Sequence, residues 1–456
     1  MTVRRTTLRA AVPVALAAAL LTAPVSAQAA PAHPGGSYFV APGGSATNPG
    51  TLTRPFANIN QFMAVARPGD TVYVRGGTYT IGETYLSKSG TAGHDITIRN
   101  FPGETPVLDG GGTSGVAFFF GEAFQGAGNG SYVTIDGFVI RDYWRSGINI
   151  GCCTLDGTVY KNVSHVTVRN NVIDRTGQNG ITFMGASDIT VEHNLVGRTG
   201  WDPTTGSWSS GINMFAMYGT DNLVNGNVTY HNVDVSDHHT DGNGIIVDET
   251  WGNGGVTITN NVAFENGGSG IQLTNSGKAT IVNNTVYENS REPSYIIGGT
   301  GIGFWGPLAV DHDIVRNNLV QQTAGTGLRA SEPFTDSVLA DNDISGQDGY
   351  RQPQFADPEH ADFRLRRTSP GVDAGGRTDA PGDALGFDPG ALLRTTENQP
   401  MPWYRYAPDF TYITRPGGVA RLFHSGHRPL GTGVDQGAFE TVGPARPPVP
   451  PAGDRG

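Results

Sequence analysis

Residues 237–249 read DHHTDGNGIIVDE. Four carboxylates, Asp237, Asp241, Asp248 and Glu249, share this stretch with His238 and His239. Such a set can support three chemistries. Oxygens of Asp237, Asp241 and Asp248 can hold calcium, a hard cation that takes oxygen ligands. Two carboxyl groups can flank a glycosidic bond, one as acid and the other as nucleophile or base. Asp237, Asp241, Asp248 and Glu249 offer the pairs, and His238 or His239 can orient them. Alternatively, a base can remove the proton α to a uronate carboxylate once that carboxylate is neutralised. His239 and Arg291 are the candidates for that base. A plain structural reading stands beside these: Asp241-Gly242-Asn243-Gly244 is good turn chemistry.

The elements that must carry this cluster are repetitive. An Asn-Asn pair or its equivalent recurs, followed by an apolar alternation and Gly-Ile. Taking Asn171, Asn194, Asn227, Asn261, Asn284, Asn318 and Asn342 as markers, the gaps are 23, 33, 34, 23, 34 and 24. A period in the twenties is the mark of a solenoid. From marker to the Gly of Gly-Ile, the short coils span 9 residues, as in Asn171 to Gly180. Three coils span 17, namely Asn194 to Gly211, Asn227 to Gly244 and Asn284 to Gly301. Insertions at one corner of a solenoid fall on one face, often the binding face. The Asn-Asn pairs themselves are scaffold: Asn tolerates a left-handed turn and can hydrogen-bond to its own copies along a stack.

Alternation along the Gly-Ile strands sorts their side chains. One outward column is Asn149, Thr182, Asn213, Ile246, Gln272 and Gly303. The next is Gly151, Met184, Phe215, Asp248, Thr274 and Trp305. Asp248 is thus a carboxylate in an apolar or small row. Asn213 and Gln272 are candidate substrate contacts. Trp144, Trp201, Trp208, Trp251 and Trp305 lie in the loops or at strand ends, and flat aromatic faces suit sugar rings.

The expected fold is all-β: a single-stranded right-handed parallel β-helix over residues 36–350. A short amphipathic helix through Ile59, Phe62, Met63 and Val65 should cap its N-terminal end, as solenoid termini require. An irregular C-terminal capping region, 351–441, should cover the far end. Residues 442–456 read as a Pro-rich disordered tail. Residues 1–29 have the charged start, apolar run and Ala27-Gln28-Ala29 site of a signal peptide, which implies a secreted protein. No other segment is long and apolar enough to span a membrane. The formal charge is -11, and loss of three Arg with the signal takes it to -14. That balance excludes nucleic acid as a partner. The expectation is a monomer acting on polysaccharide, with calcium as the one candidate cofactor and no organic cofactor. The two cysteines, Cys152 and Cys153, are adjacent. A vicinal disulfide and two buried thiols are both open.

The segment YFVAPGGSATNPGTLTRPFANINQFMAVARPGDTVYVRGGTY, followed by ITIRNFPGETPVLDG, resembles the start of secreted parallel β-helix polysaccharide enzymes. It is most similar to family 9 polysaccharide lyases, which are pectate lyases, with family 6 lyases more distant. The resemblance covers residues 37–345. It implies β-elimination on a uronate polymer, calcium held by clustered Asp residues, and a Lys base. Asp241-Gly242 matches the first element of that cluster. The next coil, ENGGSGIQL, has no Asp, and Gly303 stands where the Lys is sought. The chain holds only Lys88, Lys161 and Lys278. The reading therefore places a pectate lyase-like enzyme first and a glycoside hydrolase second. A uronate epimerase and a non-catalytic carbohydrate-binding solenoid follow.

Overall fold

Short β-branched runs broken by Asn or Gly make short strands with sharp corners. In the computed structural model these strands stack into three parallel sheets of 11, 10 and 9 strands. The described residues are 35–120, 130–151, 163–377, 384–385, 389–396, 406–414, 425–426 and 434–441. The chain visits the three sheets in turn, so each strand pairs with its counterpart one coil away. This is the parallel β-helix that the repeat predicts. Among the described residues, no helix is long and apolar enough to cross a membrane. Residues 1–29, Cys152, Cys153 and the 442–456 tail lie outside the described residues.

The marker Asn residues form a buried ladder. Each donates its backbone N–H and its Nδ2 to the Oδ1 of the next copy. Asn171 reaches Asn194 at 3.0 and 3.1 Å, and Asn227 reaches Asn261 at 2.8 and 3.0 Å. The run continues through Asn284 and Asn318 to Asn342. The first Asn of the pair has a separate job. Asn170, Asn260, Asn283 and Asn317 have φ between 54° and 58°. Asn adopts this left-handed backbone more readily than other chiral residues. The doublet therefore joins a corner former to a ladder rung. A second ladder, Asn232, Asn266, Asn289 and Gln322, runs along the next corner, where the sequence reading had no marker.

The interior is a column of apolar side chains. Ile148, Ile181, Ile212, Ile245, Ile271 and Ile302 align in register in the 9-stranded sheet and are fully buried. The capping helix is Ile59–Val65, begun by a capping box between Asn58 and Gln61. Ile59, Phe62 and Met63 join the interior core, whereas Val65 is exposed. The C-terminal region departs from expectation. Its described residues pack along one side rather than over the last coil. Phe355, Phe363, Leu392 and Tyr406 cover the outer face of the 10-stranded sheet, against Tyr230, Phe264 and Tyr287. That face carries large apolar residues, which need a cover of their own.

Candidate active site

The three insertions lie between the 10-stranded and 9-stranded sheets, as their common spacing predicts. The first holds a short 3-10 turn, Pro203–Thr205, capped by Asp202, whose carboxylate accepts from Thr204 N at 2.7 Å. In the second, Asp234 accepts from the Ser236 hydroxyl at 2.6 Å. Gly242 N donates to Ser209 O at 2.6 Å and ties the second insertion to the first. Gly200 has φ 77°, and a Cβ there would stand 1.7 Å from Val233 O, so only glycine fits between these loops.

The third insertion arises two coils after the second, with a short coil between them. It folds back across that coil. Ile296 N donates to His239 O at 3.0 Å, and Glu292 accepts from Asp234 N at 3.2 Å. The short coil offers Gly267 and Gly268 at the crossing, where a Cβ on Gly268 would sit 2.3 Å from Asp241 O. The loops thus enclose a groove of about 520 Å³ over the 9-stranded sheet.

Pairing confirms both outward columns. Thr182, Asn213, Ile246 and Gln272 align, as do Met184, Phe215, Asp248, Thr274 and Trp305. The groove brings together Asp241, Asp248, Glu249, Asn213, Gln272 and Trp208 from the residues expected at a site. Met184 and Phe215 form its apolar floor.

Burial dominates the electrostatics. The Asp241 carboxyl is pushed up to about 8, first by loss of water and then by the charges of Asp234 and Asp248. Hydrogen bonds from Thr240 and Ser210 oppose that rise. Asp248 is pushed up to about 7, first by burial and then by Glu249. Glu249 is held by Asn275, whose Nδ2 donates to it at 3.0 Å. Near neutral pH the pair can therefore hold one acid and one partly ionised carboxylate, the division of labour an acid–base pair needs.

The remaining candidates fall elsewhere. His238 stacks on Trp208 with ring centroids 3.8 Å apart and planes 9° from parallel. His239 Nδ1 lies 3.4 Å from Glu292 Oε1 without hydrogen-bond alignment, at the junction of two loops. Arg291 is exposed and does not line the groove. Trp144, Trp201 and Trp251 are exposed outside it. The Trp305 ring carries the Arg329 guanidinium 5.0 Å above it. Lys278 is exposed and donates to Gly252 O at 3.0 Å, well away from a role as base in the groove.

Calcium needs six to eight oxygens gathered around it. Asp237 is exposed and outside the groove lining, and Asp241 is engaged by Thr240 at 3.0 Å. Asp237, Asp241 and Asp248 do not converge on one point. Among the described residues, the one gathering of three metal-ligating groups is Asp311, His312 and Asp336, none of which lines the groove. The groove residues therefore do not fit a preformed calcium cage.

Two residues at the groove were given no role by the sequence. Tyr295 and Ser269 both hydrogen-bond to Gln272 from behind the groove wall. Ser269 could have been found as the residue before Gly270-Ile271. Tyr295 is legible as part of the third insertion, but only the fold-back of that loop brings it to Gln272.

Comparison with known proteins agrees with this architecture. Residues 38–236 match the family described as "Pel9A-like, right handed beta helix region". The chain is 37% identical over 81 residues to pectate lyase PEL9 of Emericella nidulans, covering 18% of this chain and 20% of that one. It is 25% identical over 248 residues to pectate lyase L of Dickeya chrysanthemi, covering 52% and 55%. With pectate lyase L of Paenibacillus polymyxa it shares 26% over 346 residues, covering 74% and 68%. The first two matches thus span a fifth and about half of those relatives' lengths. The crystal structure of pectate lyase Pel9A superposes with a TM-score of 0.50 at 20% identity, over 76% of this chain and 93% of that one. The chain is similar to family 9 polysaccharide lyases, and its fold is theirs.

Proposed function

We propose that this pectate lyase-like β-helix is a secreted enzyme that cleaves glycosidic bonds of a polysaccharide, with Asp241 and Asp248 as its acid–base pair. The observation that carries the proposal is two carboxyls, both pushed up first by loss of water, facing one loop-walled groove. Hydrolysis is the reaction this pair supports best. Protonated Asp241 donates to the leaving oxygen, and ionised Asp248 activates water or attacks the anomeric carbon. Trp208, stiffened by His238, offers a flat face at the groove for a sugar ring.

β-Elimination is the second reading, favoured by the similarity to pectate lyases. The sequence alone placed it first. Two features of the groove move it behind hydrolysis. Among the described residues, no Lys, Arg or His lines the groove. The candidate bases Arg291 and His239 both stand outside the lining.

The test is a panel of polygalacturonate, alginate, xylan and galactan, with calcium and with a chelator. Reducing ends and the ultraviolet absorbance of unsaturated uronates are followed together. New reducing ends without that absorbance, persisting in chelator, are expected. Absorbance that rises only with calcium would favour elimination of the family type. Binding without either signal would favour a carbohydrate-binding solenoid.

A further inference from the structure

Gln272 stands in the groove wall, one strand from Asp248. Its Oε1 accepts from Tyr295 OH at 2.9 Å and from Ser269 Oγ at 3.1 Å. Thr300 Oγ1 lies 2.9 Å from Ser269 Oγ. Three hydroxyl protons satisfy the network: Thr300 donates to Ser269, and Ser269 and Tyr295 donate to the amide oxygen. Burial holds the Tyr295 phenol protonated, so it acts as a donor. Both lone pairs of the amide oxygen are then in use. In this arrangement the amide oxygen is the atom turned toward the two hydroxyls. Its Nε2 is left with a stretched 3.4 Å approach to Thr274 Oγ1.

We propose that Gln272 is a specificity-determining donor that reads an oxygen acceptor on the sugar bound beside Asp248, and that Tyr295 is the positioning residue that fixes its orientation. This rests on the Asp241–Asp248 reading of the groove. It also gives the third insertion a purpose. That loop crosses a coil with no insertion of its own and delivers Tyr295 behind the wall. The acceptor is either a uronate carboxylate or a neutral hydroxyl or ring oxygen. A donor amide can serve both.

The probe is whichever of polygalacturonate, alginate, xylan and galactan the full-length protein cleaves. Gln272→Met and Tyr295→Phe should each lower kcat/KM about tenfold with the melting temperature held within a few degrees. The double variant should be no worse than Gln272→Met, because Tyr295 acts through Gln272. Gln272→Glu separates the two acceptors: it should abolish turnover of an acidic polymer, whose carboxylate it repels, and cost a neutral one no more than Gln272→Met does. Wild-type kinetics in Tyr295→Phe, or losses that multiply in the double variant, would overturn the inference. If Gln272→Met is fully active while Asp248→Asn is dead, the inference fails and the acid–base reading stands. If the wild-type protein cleaves no polymer of the panel, the acid–base reading fails and takes the inference with it.

Discussion

Asp248 pairs with Phe215 on one side and Thr274 on the other, and its outward row is otherwise apolar or small. A carboxylate in that row keeps its proton to about pH 7, and the negative charge of Glu249 contributes. Asp241 keeps its proton to about pH 8. Activity should rise as Asp248 ionises and fall as Asp241 ionises, giving a bell between those limbs that belongs to the coupled pair. Glu249→Gln removes the charge that adds to burial in holding the Asp248 proton. The acid limb of the kcat/KM profile should move to lower pH while the alkaline limb stays. An unmoved acid limb would show that Asp248 does not set it. Stability gives an independent check. The folded-state pKa of Asp241 is raised above the unfolded value, so the folded chain binds more protons between the two. The contribution of Asp241 is most favourable below its unfolded pKa and is lost as pH rises through about 8. Asp241→Asn should therefore raise the unfolding free energy at pH 9, by on the order of a few kcal/mol, and much less at pH 4. Equal effects at both pH values would contradict the assignment. Asp248 was legible in the sequence because it breaks an apolar column. Arg291 was misplaced because alternation cannot orient a residue in an irregular loop.

The corner ladders hold the coils in register and thereby fix the columns that build the groove. Asn227→Ala would remove the acceptor for Asn194 N and Nδ2, at 3.0 and 2.9 Å, and the donor to Asn261. A loss of about 3 kcal/mol in chemical denaturation is expected, since buried donors would be left without partners. A loss under about 0.5 kcal/mol, typical of a plain surface substitution, would count against the ladder. This level of the structure was read well from sequence, because stacking turns a repeat in the chain into a column in space. The second ladder was legible too: Asn232, Asn266 and Asn289 each stand five residues after a marker Asn, and only Gln322 breaks the pattern. The C-terminal region was misjudged. Phe355, Phe363 and Tyr406 have no period, so nothing in their spacing says which surface they cover. The outer face of the 10-stranded sheet does say so, once Tyr230, Phe264 and Tyr287 are seen in line.

At the scale of the whole molecule, the rod of coils has one decorated edge. Loops from non-adjacent coils meet there, and the two strongly perturbed carboxyls of the groove lie beneath them. The outer face of the 10-stranded sheet is covered by described residues of the C-terminal region. Similarity to pectate lyases extends over the scaffold, and among the described residues no Lys lines the groove. The most direct test compares wild-type and Asp248→Asn protein on the four-polymer panel in chelator, following reducing ends and unsaturated-uronate absorbance together. The wild-type protein should release reducing ends without that absorbance. Asp248→Asn, still folded, should lose at least a hundredfold in kcat. Full activity in Asp248→Asn, or calcium-dependent unsaturated product from the wild type, would contradict the account.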